Sequence, residues 1–315
     1  MKAVTIDPAA GLAFREHPDP QAGHGGVLVR IRAAGVNNAD LGQVAGVYPA
    51  PPRAPADIPG LEFAGEVVAL GPSATRFSVG DRVMGLVGGG GQAELIALDE
   101  RELMRVPASF SWAEAGGFPE AFITAHDALF TQCALRPGER VLITGAAGGV
   151  GNAGVQMAAV AGAEVVASVR DPARRQQVAA LGAHRVIDPA EAAANGPYDV
   201  VLELAGLDSF DARLRSLNVG GRFVLIGSST GFEAKVDFMQ LAARRATLRA
   251  SGLRTRPLEE KALATRAVER EVLSMVERGK IAVPVAATFA LADAASAYEA
   301  YRTPGKFGKI VLLAD

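Results

Sequence analysis

The chain has 315 residues, 49% of them apolar and 21% charged, with a formal net charge of −2. That length suits one large domain or two of ordinary size, and the composition is globular rather than disordered. The near-neutral balance offers no global basic field for nucleic acid or an anionic membrane, and a single cysteine, Cys133, excludes an internal disulfide framework or a thiolate metal cluster.

The first third is rich in short β-like runs. Strands are expected at 27–36 (VLVRIRAAGV), 62–71 (EFAGEVVALG) and 81–87 (DRVMGLV), separated by Gly and Pro. The proline-rich stretch 49–60 and the glycine run 88–91 read as loops. A helical period follows around 120–133, and from Val141 onward strands and helices alternate. Strands are expected at 141–144, 164–169, 185–187, 199–204 and 222–227, with helices near 149–161, 172–181 and 208–217. Apolar strands alternating with helices imply a parallel sheet covered on both faces. A charged helix is expected over 257–279, then a helix at 292–302 and a strand at 309–313. No apolar run reaches the ~18 residues of a membrane span. The first residues lack the pattern of a secretory signal, so a cytoplasmic protein is expected.

Chemistry concentrates at GAAGGVGNAG, 145–154, between a strand and an apolar helix. Ala146, Gly148 and Gly151 occupy the three positions of a dinucleotide glycine motif, with Gly149 and Val150 opening the helix. A small residue there admits a pyrophosphate, and the helix N-terminus presents free N–H groups and a positive dipole end. A plain tight turn is the alternative. An NAD-selective site carries an acid ~20 residues further on, at the end of the second strand. Here that strand ends at Val169 and continues as Arg170, Asp171, Pro172, Ala173, Arg174, Arg175. Arg170 and Arg174 are therefore candidates for pairing a 2′-phosphate, Asp171 for capping the next helix, and Arg175 for a solvated face.

The motifs GVNNAD (35–40), GVYP (46–49), IPGLEFAGEV (58–67), VGDRVMGL (79–86), GGGGQAEL (88–95), PEAFITA (119–125), GAAGGVG (145–151) and FGKIVL (307–312) run through the chain in order. On them the chain resembles the medium-chain dehydrogenase/reductase superfamily over its whole length, and within it the zinc-independent, p53-inducible quinone oxidoreductase-like group. The resemblance implies a Rossmann doubly wound parallel sheet, 121–258, inserted into a GroES-like β-rich catalytic domain, 1–120 and 259–315. It implies NADPH as cofactor, a homodimer, and a quinone or enone as substrate; the dispersed basic residues and the lack of a long apolar run leave no nucleic-acid or membrane partner expected. By the same resemblance Thr124 faces the cofactor, Ala205 and Gly206 lie near the nicotinamide ribose, and Gly227, Ser228, Phe307 and Gly308 border the ring. Relatives hold the 2′-phosphate with a lysine aligned to Arg174, and many add a tyrosine where this chain has Pro189.

The zinc-dependent branch carries Gly-His-Glu where this chain reads Gly60, Leu61, Glu62, and the early catalytic cysteine is absent; no metal is expected. Glu62 reads as a strand residue paired to a neighbouring base. Without a metal, the electrophile must be activated already, and hydride arrival sends charge to a carbonyl oxygen that needs hydrogen-bond donors. Asn37 and Tyr48 are the candidates; the alternatives are that Asn37 caps a turn and Tyr48 only walls the cleft. Asp40 reads as an organiser of its helix or loop. The expected activity is an NADPH:quinone oxidoreductase. The alternatives are an enoyl or alkenal double-bond reductase and a non-catalytic NADPH-binding protein.

Overall fold

The computed structural model describes residues 1–7 and 11–314. The chain divides into two compact units: Met1–Ile123 with Leu253–Asp315, and Thr124–Gly252.

The first unit opens with an antiparallel pair, β1 (Lys2–Asp7) and β2 (Gly11–Glu16). Its main strands are β3 (Gly26–Val36), β4 (Glu62–Leu70) and β5 (Arg82–Leu86), close to the expected runs. Between β3 and β4 lies one short helix, α1 (Asn38–Val44), and the prolines of 49–60 keep that stretch free of helix and strand. Next come β6 (Leu95–Asp99), β7 (Leu103–Arg105) and the helices α2 (Trp112–Gly116) and α3 (Pro119–His126). Ser111 and Glu114 form a capping box at the start of α2.

The second unit is a regular alternation. The helical stretch after α3 widens into a π-helical turn at Asp127–Gln132. Then follow β8 (Arg140–Ile143), α4 (Gly149–Val160), β9 (Glu164–Ser168), α5 (Pro172–Ala180), β10 (Arg185–Ile187), β11 (Tyr198–Glu203), α6 (Phe210–Arg215), β12 (Leu217–Leu225), α7 (Phe238–Arg244) and β13 (Thr247–Ala250). The six strands form one sheet in the order β10-β9-β8-β11-β12-β13, and every neighbouring pair is parallel. Counted from β8, that is the order 3-2-1-4-5-6 of the dinucleotide-binding fold. The central strands are buried on both faces: Val141, Leu142, Ile143, Val200, Val201 and Leu202 have no exposure. This explains their continuous apolar runs.

The chain then returns to the first unit with α8 (Leu258–Glu271), α9 (Leu273–Glu277), β14 (Val285–Ala290), α10 (Ala294–Arg302) and β15 (Lys309–Leu313). The helix expected over 257–279 is thus interrupted at Val272, where the ladder tightens to a Met275 N–H bond to Val272 O at 2.9 Å. The sheet runs β14-β15-β3-β4-β5-β7, with β6 also on β3. The antiparallel register Ile310↔Val36 sets Lys309, at the start of β15, beside the turn that leaves β3.

Candidate active site

In the second unit the glycine turn follows β8, and the Ala205–Gly206 turn follows β11. These adjacent strands lead to opposite halves of the sheet, so their carboxyl ends flank the topological switch point where such folds bind ligands. The turns are wired together. Thr144 Oγ1 donates to Glu203 Oε1 at 2.7 Å and accepts the Leu204 N–H at 2.8 Å. The Ala146 N–H reaches Ser168 O at 3.3 Å, tying the glycine turn to the end of β9. Glu203 is fully buried; its Oε1 also accepts the Ala205 and Gly206 N–H groups, each at 2.9 Å, and its Oε2 lies 2.8 Å from Arg213 Nε. Ser229 Oγ donates to Ala205 O at 2.6 Å, bringing the turn after β12, with Gly227 and Ser228, against the turn after β11.

The glycine turn fits a dinucleotide. A side chain at Gly151 would place Cβ 2.5 Å from Gly145 O and 2.6 Å from the Ala146 Cα, so only glycine lets α4 start this close to the strand. No side chain caps α4 at Gly148, which leaves its first turn of N–H groups open to an anion. Residues 148–150 are half-buried, Ala146 and Gly151 buried.

At the end of β9, Arg170 is exposed, and among the described residues its side chain has no ion-pair or hydrogen-bond partner. Asp171 caps α5, accepting the Ala173 N–H at 3.0 Å, with Pro172 in the first turn. Arg174 is half-buried, its Nε 3.7 Å from Asp171 and its Nη1 3.3 Å from Gln177 Oε1. Arg175 is not on a solvated face. It donates to Val169 O at 3.2 Å and pairs with Asp188 at 2.8 Å, because α5 turns it back over the ends of β9 and β10. Pro189, where relatives add a tyrosine, opens a short 3-10 turn capped by that same Asp188.

In the first unit a buried polar cluster surrounds Asn37. Lys309 Nζ lies 2.6 Å from Glu62 Oε1 and 2.5 Å from Asn37 Oδ1. Asn37 Nδ2 donates to Glu62 Oε1 at 2.9 Å, and the Glu120 N–H reaches Glu62 Oε2 at 2.8 Å. A Cβ at Gly35 would stand 2.1 Å from Glu62 Oε1, so the carboxylate lies against bare backbone. Burial pulls the Lys309 ammonium down, but Glu62 and Glu120 outweigh it and hold the pKa above its ordinary value. Asp40 accepts the Asn37 N–H at 2.8 Å and the Gly60 N–H at 3.0 Å, which makes it the organiser of α1 and of the turn into β4. Burial pushes its carboxyl up to about 7 against those two backbone donors. Glu62 is thus paired to a base, as its strand position suggested. Asn37 presents an amide whose orientation is fixed: a cation holds the oxygen and a carboxylate holds one N–H, leaving the second N–H.

Tyr48 follows α1 and is 39% exposed, free to offer its hydroxyl. Its ring lies 4.9 Å from the Arg254 guanidinium carbon. Phe307 is half-buried and Gly308 buried, leading into β15; Thr124 is buried at the other unit's first position. The sequence reading missed Glu203, Arg213, Lys309 and Arg254. Lys309 sits within the FGKIVL motif, but the motif does not show its partners; Lys309 and Arg254 meet theirs across the chain, and Glu203 holds backbone amides and Arg213.

Comparison with known proteins places this geometry. The family model "Alcohol dehydrogenase GroES-like domain" matches residues 23–131, and "Zinc-binding dehydrogenase" matches 149–269. A quinone oxidoreductase of Pseudomonas aeruginosa is 30% identical over 312 residues, spanning 96% of this chain and 95% of that protein. The chain belongs to the medium-chain dehydrogenase/reductase superfamily, among its quinone oxidoreductase-like proteins. It also matches the polyketide synthase GfsB of Streptomyces halstedii, 36% identical over 91% of this chain, but spans only 5% of that much longer protein. Among solved medium-chain structures, mycobacterial Rv1454c complexed with NADPH superposes with a TM-score of 0.86 at 28% identity, covering 99% of this chain and all of that one. The CurK enoyl reductase superposes with a TM-score of 0.83 at 25% identity, covering all of this chain and 99% of that one.

The superfamily's zinc site does not fit these residues. Leu61, between Gly60 and Glu62, offers no ligand atom, and both oxygens of Glu62 are engaged by Lys309, Asn37 and the Glu120 amide. Among the described residues no group of three or more His, Cys, Asp or Glu is placed to hold a metal ion. No helix among them is long and apolar enough to cross a membrane.

Proposed function

We propose that the chain is an NADPH-dependent, zinc-independent quinone oxidoreductase. The carrying observation is the end of β9: no acid stands at Val169, and the unpartnered Arg170 and half-buried Arg174 flank the helix cap. An acid there would repel a 2′-phosphate, whereas guanidinium groups pair with it. The open N–H groups of α4 would hold the pyrophosphate, and the Ala205–Gly206 turn, whose own N–H groups are held by Glu203, is assigned to the neighbourhood of the ribose. When bound, NADPH supplies the hydride.

The chain's own residues then handle the charge that arrives on the acceptor's carbonyl oxygen. Tyr48 offers an exposed phenol as hydrogen-bond donor, and Asn37 has one amide N–H left after Glu62 takes the other. Neither changes its charge in doing so. Within the second unit, Thr124, Gly227 and Ser228 are assigned to the cofactor. Activity does not require a metal, so saturating chelator leaves it intact. Dimerisation and a cytoplasmic location belong to the same proposal.

A second reading, reduction of an enoyl or alkenal double bond, is favoured by the likeness to the CurK enoyl reductase. Both readings use the same hydride and the same oxygen-directed donors. Turnover on 1,2- and 1,4-quinones compared with 2-enals and enoyl thioesters decides between them. Tight NADPH binding with no oxidation on the whole panel overturns both in favour of a binding protein.

A further inference from the structure

Arg254 is 4% exposed, and among the described residues no carboxylate pairs with it. Its acceptors are all neutral. Nε donates to Gly88 O at 2.8 Å, Nη1 to Tyr48 O at 2.8 Å, and Nη2 to the Gln43 side chain, while the guanidinium stacks on the Tyr48 ring 4.9 Å away. Burial draws its pKa below the ordinary arginine value. Asp40 acts on it from a distance, but a buried cation with no carboxylate in contact is expensive, and a chain keeps one where its charge or its fork of donors has a task. Here one fork gathers three separate segments: α1 through Gln43, the turn bearing Tyr48, and the glycine run through Gly88. Two of its four contacts are to Tyr48 itself, one to the backbone and one to the ring.

We propose that Arg254 is a positioning residue for Tyr48: it fixes the direction of the phenol and places a positive charge, in contact with no carboxylate, behind the ring. This rests on Tyr48 being the donor to the reacting carbonyl. The charge strengthens the phenol as a donor to an oxygen turning negative, and the planar fork explains arginine over lysine. Arg254 acts only through Tyr48, so the two should be coupled.

The test uses Arg254→Gln, Arg254→Lys, Tyr48→Phe and the double variant Arg254→Gln/Tyr48→Phe, each checked for native circular dichroism. Arg254→Gln should lower kcat roughly tenfold, with the NADPH KM within about twofold, and Arg254→Lys should recover part of the loss. In the Tyr48→Phe background, Arg254→Gln should cost less than about twofold, as expected for residues acting as a unit. Full additivity of the two losses, or a loss confined to the NADPH KM, overturns the proposal. A second measurement does not need turnover. The Val47 and Tyr48 N–H groups both bond to Gly42 O at 3.0 Å, and their hydrogen exchange should rise about tenfold in Arg254→Gln. Unchanged exchange overturns the positioning role whatever the activity. A wild-type chain silent on every quinone and enone overturns the function proposed above, while exchange still decides on Arg254.

Discussion

Removing both guanidinium groups with Arg170→Ala/Arg174→Ala should separate NADPH from NADH. A charge-assisted hydrogen bond is worth ~1.5–3 kcal/mol in a well-shielded site. Neither arginine enjoys that. Arg170 is exposed, so solvent screening brings its share to about 1 kcal/mol. The Arg174 side chain is 34% exposed and shares its charge with Asp171 at 3.7 Å, which brings its share to a similar figure. Together they contribute about 2 kcal/mol, or roughly 30-fold in the KM for NADPH. NADH lacks the 2′-phosphate, so its KM should move by less than about twofold. The assay is steady-state oxidation of each cofactor with a fixed quinone, at low salt and again near 1 M. There the Debye length shrinks to ~3 Å, and the wild-type preference for NADPH should narrow. Equal losses for both cofactors, or a wild type that prefers NADH, would refute the reasoning.

Three further substitutions probe the framework. Lys309→Met strands the fully buried Glu62 without its cation, at a cost of about 3–5 kcal/mol read by urea denaturation; adding Glu62→Gln should restore part of it, and a single variant as stable as wild type would contradict the pairing. Asp40→Asn tests the carboxyl that burial lifts from 3.8 to about 7. Because the folded state holds that proton more tightly, the contribution of Asp40 to stability is full below about pH 4 and declines up to about pH 7. The substitution should therefore destabilise more at pH 5 than at pH 8, and the reverse order would count against the assignment. Gly151→Ala drives a Cβ into backbone at 2.5 Å and should cost NADPH binding at least tenfold by fluorescence titration, whereas unchanged affinity would show that the turn yields.

Much of the second unit was legible because its information is local. An apolar run, a glycine turn and a helix period recur within 30 residues, and burial on both faces of a parallel sheet leaves the strands no polar positions to blur the pattern. The Asp171 cap was legible for the same reason, with Pro172 beside it. Arg175 was not, because its partners Val169 O and Asp188 are brought to it by the crossover from β9 to β10. The break at Val272 also escaped, since the composition around it carries no Pro or Gly to announce it. In the first unit β7, with three residues, is too short for periodicity to show, and β6 and β14 were not read from the sequence.

The residues that organise the candidate site share a different property: they act across the chain. Lys309 reaches Asn37 over 272 positions, Arg254 reaches Tyr48 over 206, and Thr144 reaches Glu203 over 59. Each takes its meaning from a partner that sheet register or loop packing delivers. Asn37 illustrates the consequence. From its motif it is a candidate donor or a turn residue, and the structure places it at the N-cap of α1, in a capping box with Asp40. Lys309 at its oxygen and Glu62 at its nitrogen resolve the amide's direction, because a cation and a carboxylate cannot exchange those places. The buried ion pair therefore has a role beyond stability, which pairs of this kind seldom improve. It sets which atom of Asn37 remains to be offered, and that atom is a donor. On the function proposed above, a substrate that gathers negative charge on oxygen would take that atom, with Tyr48 offering the same polarity after α1.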